Sequence, residues 1–239
     1  MPKNVNELKI KIFADGADLE TMVAMSKKPL IKGLTTNPTL MRKAGIIDYR
    51  DFAKEVLARI QDKPISFEVF SDDLKEMIEQ AMEIASWGEN VNVKIPITNS
   101  EGIETTSAIK ELSRMGINLN ITAILTSRQV KNVIEALDEN ASAFISVFAG
   151  RIADTGRDPI PLMKEALQIM REKPKSELIW ASPRELLNVI QADSIGCHII
   201  TATSDILKKL DIIGKDLTLY SLETVKMFRD DALASGYSI

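Results

Sequence analysis

The chain is poor in the residues that most often carry redox and metal chemistry, with one cysteine and one histidine in 239 residues. A lone thiol, Cys197, excludes an intrachain disulfide framework, and a lone imidazole, His198, leaves no Cys/His cluster to hold zinc. Cys197 is expected to pack as a small buried hydrophobe, and His198 to sit in the core or behind a site. Long apolar runs are also missing. None approaches the roughly 18 residues of a membrane span, and the N-terminus lacks the apolar stretch of a secretory signal, so a cytoplasmic protein is the default expectation. Asn120-Ile121-Thr122 and Asn140-Ala141-Ser142 then carry no weight as glycosylation triplets. No basic block occurs, and 30 basic against 34 acidic residues leave a net charge of −4, which gives no footprint for nucleic acid.

What is present has the proportions of a globular domain: 45% hydrophobic and 27% charged residues are enough for a sizeable core. Short β-branched runs alternate with helical patterns, without a linker or a break in composition. That rhythm predicts a parallel α/β architecture and a single domain over residues 1–239. Candidate strands run from Lys9 to Ala14, Ile31 to Thr36, Ile65 to Phe70, Asn92 to Ile95, Ile117 to Ile124, Ala143 to Phe148, Glu177 to Ala181 and Gly196 to Thr201. Eight strands with intervening helices point to a closed (β/α)8 barrel, close to its usual size of roughly 250 residues.

Helical spacing is clear at Leu74, Met77, Ile78, Ala81, Met82 and Ala85, and again at Val130, Val133, Ile134 and Leu137, so these methionines are expected in the core. Thr98 with Glu101 and Thr126 with Gln129 read as capping boxes. Ser182-Pro183-Arg184-Glu185 reads as a cap, an N1 proline and an N3 glutamate. A last amphipathic helix, about 222–234, follows the eighth unit and could close the barrel bottom, cover the mouth or dock on a neighbouring subunit.

Polar residues recur on one parity of four successive strands: Ser66 and Glu68, Asn92 and Lys94, Asn118, Asn120 and Thr122, then Ser146. In a barrel whose apolar parity faces the helices, the polar parity faces the axis and its C-terminal members gather at the mouth. Asp15 and Asn37 fall just after the first two strands, at the same end. The mouth would thus hold a lysine inside an apolar run, two carboxylates, and several amides and hydroxyls. A lysine amine held out of water is a usable nucleophile toward a carbonyl, with carboxylates to move protons through carbinolamine and iminium, which needs no cofactor and no metal. Arg151, after the sixth strand, and Arg184, read as lying in the first turn of a capped helix, suggest a phosphate handle. Arg157 is a further guanidinium that could compete for the anion.

Lys32-Gly33-Leu34-Thr35-Thr36-Asn37-Pro38-Thr39, Val93-Lys94-Ile95-Pro96, Gly116-Ile117-Asn118-Leu119-Asn120-Ile121-Thr122 and Ser146-Val147-Phe148-Ala149-Gly150-Arg151-Ile152 resemble the signature segments of the transaldolase family, in its small-subunit form that includes fructose-6-phosphate aldolases. The resemblance runs from about Ile10 to Thr203. It implies a single (β/α)8 barrel with the Schiff-base lysine at Lys94. It further implies Asp15 as the acid/base for C–C cleavage, and Glu68 and Thr122 as the pair holding the catalytic water. Thr35, Asn37, Asn120 and Phe148 would bind substrate, and Ser146, Arg151, Ser182 and Arg184 its phosphate.

Implied activity is transfer of a dihydroxyacetone unit from a ketose phosphate (sedoheptulose 7-phosphate or fructose 6-phosphate) to an aldose phosphate (glyceraldehyde 3-phosphate or erythrose 4-phosphate), within the pentose phosphate pathway. The aldolase branch is the alternative. It carries glutamine where Glu68 stands and tyrosine where Phe148 stands, so both positions favour transaldolase proper. A catalytically silent sensor of sugar phosphates is the rival from another class, against which the full set Asp15, Glu68, Lys94 and Thr122 argues. Small members of the family often form rings in which the C-terminal helix reaches a neighbour, so a homo-oligomer is expected.

Overall fold

A computed structural model describes residues 4–237. Eight strands pair in parallel, each with the next, and the eighth returns to the first to close a barrel. They are β1 Lys11–Asp15, β2 Ile31–Thr35, β3 Ile65–Glu68, β4 Val91–Pro96, β5 Leu119–Ile124, β6 Ala143–Val147, β7 Glu177–Trp180 and β8 Ile199–Thr203. The helices are α1 Leu19–Ser26, α2 Pro38–Lys43, α3 Tyr49–Arg59, α4 Leu74–Ala85, α5 Thr106–Arg114, α6 Ser127–Ala136, α7 Ala149–Asp154, α8 Ile160–Ile169, α9 Leu187–Ser194, α10 Ser204–Leu207 and α11 Leu217–Ala234. Among the described residues no helix is long and apolar enough to cross a membrane.

The expected (β/α)8 barrel with an added C-terminal helix is therefore present, with local differences. β8 begins three residues later than its β-branched run suggests. Gly196 adopts φ +75° and donates its N–H to Asp193 O, so Gly196 terminates α9 instead of opening a strand. Thr126 and Gln129 form the expected capping box. Thr98 does not cap a helix: it bridges Glu104 in an antiparallel pair, and α5 starts only at Thr106. Met77 is fully buried as expected, whereas Met82 is partly exposed at the rim of α4. The last helix starts at Leu217, five residues before its expected start, because Asp216 accepts from the Leu219 N–H and caps it there.

One large apolar core fills the space between the sheet and the surrounding helices. A second, smaller cluster lies inside the barrel: Phe13, Ile179, Ala181 and Ile199, with Phe144 and Phe148 packed against it. Phe13 and Phe144 meet edge to face at 5.6 Å. These residues come from β1, β6, β7 and β8 and the residues just after β6 and β7. The facing half, β3 to β6, supplies a buried polar chain instead. Asn120 Nδ2 donates to Ser66 Oγ at 2.9 Å, and Ser146 Oγ donates to Asn120 Oδ1 at 2.7 Å. The barrel axis is thus apolar on one side and hydrogen-bonded on the other, and the polar side carries the site.

The Phe13 ring reaches across to β2, where it sits against Gly33. A Cβ built on Gly33 would meet three ring carbons at 2.5–2.8 Å, closer than any real contact. Phe13 is fully buried and hemmed in by its own cluster, so the ring has little room to retreat. Gly33→Ala is expected to lower stability by about 1–3 kcal/mol, read as a lower urea midpoint. Adding Phe13→Leu should recover part of the loss, whereas an unchanged midpoint in the single variant contradicts this packing account.

Candidate active site

The parallel register brings the polar ends of successive strands to one level. Asp15 pairs with Thr35, Glu68 with Lys94, and Pro96 with Thr122. Side chains that alternate along each strand therefore converge from β1 to β6 on the C-terminal mouth. There they line a cavity of about 390 Å³. Its walls include Asp15, Thr35, Asn37, Glu68, Lys94 and Thr122 on one side, and Ser146, Phe148, Arg151, Ser182 and Arg184 on the other. Asn92 and Asn118, on the same inward parity, lie instead at the opposite end of the barrel, where they line a separate cleft.

Lys94 is 6% exposed. Its Nζ donates to Thr36 O at 3.0 Å and lies 3.1 Å from Glu68 Oε2. A charge so enclosed is held by its partner and by a backbone dipole, and the amine faces the cavity with a proton acceptor in contact. Glu68 is itself fixed through its backbone: Tyr49 Oη donates to Glu68 O at 3.0 Å, and the ring packs against Phe67, Phe70 and Trp87. Burial pushes the Tyr49 phenol well above its ordinary range, so it remains a donor.

Asp15 opens on to the cavity, and Thr35 Oγ1 donates to its Oδ1 at 2.7 Å. Desolvation raises its carboxyl above the ordinary value; the positive charge of Lys94 and the Thr35 hydrogen bond lower it, and Glu68 raises it further. The result is an acid that holds its proton to higher pH than a surface aspartate does.

Thr122 is buried, and its hydroxyl has no hydrogen-bond partner among the described residues. Just beyond it, Ala123 adopts φ +60°, where the β5–β6 register shifts. That strained residue bulges β5 at the wall of the cavity. Asn37 caps α2, its Oδ1 accepting from Leu40 N–H at 3.0 Å, which leaves the amide NH₂ for the cavity.

Two expected roles are not met by the geometry. Asn120 does not line the cavity; it is fully buried beneath it, bonded to Ser66 and Ser146, so the Ser146 hydroxyl is engaged there too. Arg184 is not in the first turn of a capped helix. Ser182 takes φ +58°, α9 starts only at Leu187, and the Arg184 and Glu185 N–H groups donate to Asn188 Oδ1. The cause lies across the cleft: the Ser182 carbonyl passes so close to Gly150 that a Cβ there would lie 1.5 Å from the oxygen.

Arg184 still reaches the cavity, but its guanidinium forms a bidentate pair with Asp154, donating from Nε at 2.9 Å and also from Nη2. The guanidinium holds the Asp154 carboxyl below the ordinary range. Arg151 stands 6.0 Å from the centre of the Phe148 ring, and Arg157 is not among the lining residues. Cys197 is buried, as expected, and burial pushes its thiol up to about 12. His198, away from the cavity, accepts the Leu178 N–H on Nδ1.

The cavity also contains residues that the sequence reading passed over. Thr201 and Thr203 line it from β8, and Thr201 Oγ1 lies 2.5 Å from Thr35 Oγ1. Their signal was the same inward alternation seen on the other strands, masked because the strand was expected to end at Thr201. Asp154 was not anticipated, though it follows Arg151 at helical spacing on α7.

Fold and site together define a (β/α)8-barrel protein whose mouth encloses a lysine between carboxylates. Residues 12–236 match the model of the transaldolase/fructose-6-phosphate aldolase family. A probable transaldolase of Dehalococcoides mccartyi is 36% identical over 202 residues, spanning 84% of this chain and 90% of that one. One from Thermoanaerobacter is 33% identical over 231 residues, spanning 96% and 100%. A putative dihydrodipicolinate synthase family protein from Coccidioides immitis shares the fold with a TM-score of 0.60 at 13% identity, over 100% of this chain and 81% of that one. The chain belongs to the transaldolase/fructose-6-phosphate aldolase family, and is an enzyme, a transferase of the transaldolase kind.

The raised carboxyl of Asp15 has a consequence for stability. Between its unfolded and folded titrations the folded state binds more protons, so stability falls as pH rises through that interval. Asp15→Asn removes the loss. It should unfold at higher urea than the parent at about pH 8, with the gap closing toward about pH 4; a gap that widens on acidification contradicts the assignment.

Proposed function

We propose that the enzyme transfers a dihydroxyacetone unit between sugar phosphates through a Schiff base on Lys94. The observation that carries this reading is the enclosed Lys94 amine in contact with Glu68, with Asp15 on the wall of the same cavity. Glu68 accepts the ammonium proton, and the freed amine adds to the C2 carbonyl of a ketose phosphate. The carbinolamine loses water to give an iminium, with Glu68 and the Thr122 hydroxyl as the groups to hold and protonate that water.

Asp15, as carboxylate, takes the proton of the C4 hydroxyl while the C3–C4 bond breaks. Its electron pair passes into the iminium, leaving an enamine on Lys94 and releasing an aldose phosphate. The enamine then attacks an incoming aldehyde, Asp15 returns the proton to the new alkoxide, and water hydrolyses the iminium. The Asn37 NH₂ and Thr35 bind substrate hydroxyls, and Asn120 supports the floor. Arg151, Arg184 and Ser182 form the phosphate end; a phosphate would compete with Asp154 for the Arg184 fork.

Transaldolase with ketose and aldose phosphates is favoured over free aldol cleavage by Glu68 and Phe148. Phe148, on the cavity wall, has no hydroxyl with which to protonate the enamine carbon. Such a reaction fits a cytoplasmic enzyme of the pentose phosphate pathway. Helix α11 supports a homo-oligomer: none of its residues is buried, and it exposes Leu219, Leu222, Val225, Phe228 and Leu233, among others. A second copy of the chain is its proposed partner.

Coupled assays with fructose 6-phosphate should show turnover that depends on added erythrose 4-phosphate. Turnover that is equally fast without an acceptor would shift the assignment to the aldolase, and no turnover with either would refute both. Lys94→Met should fold normally and lose at least about a hundredfold in kcat. Light scattering should give a multiple of 26.5 kDa for the whole chain and a smaller particle after removal of residues 217–239; a monomeric parent contradicts the role given to α11.

A further inference from the structure

From the buried contact between β2 and β8, we propose that Thr201 is a positioning residue that orients and polarises Asp15 through the hydroxyl of Thr35. The inference rests on the acid/base role proposed for Asp15. The three groups form a line across three neighbouring strands. Thr201 Oγ1 lies 2.5 Å from Thr35 Oγ1, and Thr35 Oγ1 donates to Asp15 Oδ1 at 2.7 Å. Thr201 and Thr35 are 5% and 3% exposed, so bulk water does not compete for either hydroxyl.

The direction of the chain follows from counting protons. Thr35 carries a single hydroxyl hydrogen, and while Asp15 is ionised that hydrogen points at the carboxylate. The contact with Thr201 then has Thr201 as donor and Thr35 as acceptor. Donation into the Thr35 oxygen polarises its O–H and strengthens the bond to Asp15. When Asp15 takes a proton from the substrate hydroxyl on its other carboxyl oxygen, Oδ1 still accepts from Thr35, more weakly than the carboxylate does. Both protonation states of the acid/base are thereby hydrogen-bonded without moving a heavy atom. This is the property that a group cycling between the two needs.

Other groups do not replace this line. Titratable groups acting on Asp15 are Lys94 from β4 and Glu68 from β3. The flanking strands present Thr35, Thr201 and Thr203, while α1 and α10 present Thr21, Met22, Met25, Ser204 and Leu207. Thr201 reaches the carboxylate only through Thr35, so its effect is on the energy and direction of the carboxyl and not on the binding of sugar. Register also fixes it in place: Phe13 pairs with Thr201 and Asp15 with Thr203, so the hydroxyl is held one layer beneath the carboxylate.

The test compares Thr201→Val, which keeps the shape and removes the hydroxyl, with Thr201→Ser, which keeps the hydroxyl. In Thr201→Val the low-pH limb of kcat should move to higher pH. On that limb kcat should fall by roughly tenfold per unit of displacement, with KM little changed, and Thr201→Ser should restore the parent profile. An activity-independent readout is the pH dependence of the urea midpoint relative to a paired Asp15→Asn variant, whose carboxyl-dependent component should move upward in Thr201→Val. Unchanged limb and unchanged component overturn the inference. An equal loss in Thr201→Ser also overturns it, since that outcome points to packing alone. If the parent does not turn over fructose 6-phosphate, the functional reading fails, and the urea midpoints alone decide whether Thr201 acts on Asp15.

Discussion

Much of this structure follows from holding one lysine and two carboxyl groups together at the mouth of the barrel. Lys94 lies inside a run of β-branched residues, 3.1 Å from Glu68 and with a backbone carbonyl as its second partner. Charges removed from water must be matched this way or they neutralise. Asp15 receives less compensation, which is why desolvation dominates its titration despite the nearby lysine. Glu68 in contact with the lysine, and Asp15 raised by desolvation on the wall of the same cavity, are two carboxyl groups given different environments by the fold.

The division of the barrel axis makes that arrangement tolerable. Phe13, Ile179 and Ile199 fill one half with apolar volume, and the Phe13 ring leaves room only for a glycine on β2. The other half contributes Ser66, Asn120 and Ser146 in a satisfied chain beneath the cavity floor. The floor is therefore already hydrogen-bonded, and Asp15, Thr35, Glu68, Lys94 and Thr122 above it are held on strands. Among the described residues the non-glycine positions with positive φ are Ala123 and Ser182, both at the wall of the cavity, where a bulge and a close backbone approach shape it.

The barrel was legible because strand parity and helix periodicity repeat over the whole chain, and the inward polar positions of β3 to β6 could be read directly. Contacts set by distant backbone were not legible. Ser182-Pro183-Arg184-Glu185 has the letters of a helix start, yet the approach of Gly150 to the Ser182 carbonyl holds it in an irregular turn. Asn120 has the parity of a ligand-binding amide, but its depth along the axis makes it a supporting group. Asp154 escaped notice because an ion pair between a short helix and a loop after another strand leaves no local periodic trace. Thr201 and Thr203 were missed because the strand was expected to end at Thr201, which cut the inward alternation short.

The account depends most on the Lys94 amine being the atom that bonds to substrate. Borohydride reduction in the presence of fructose 6-phosphate, followed by digestion and mass spectrometry, tests this directly. A stable adduct confined to the peptide containing Lys94, and absent without borohydride, is the predicted result. Turnover of the sugar with no adduct on that peptide, or with an adduct on another lysine, would contradict the account.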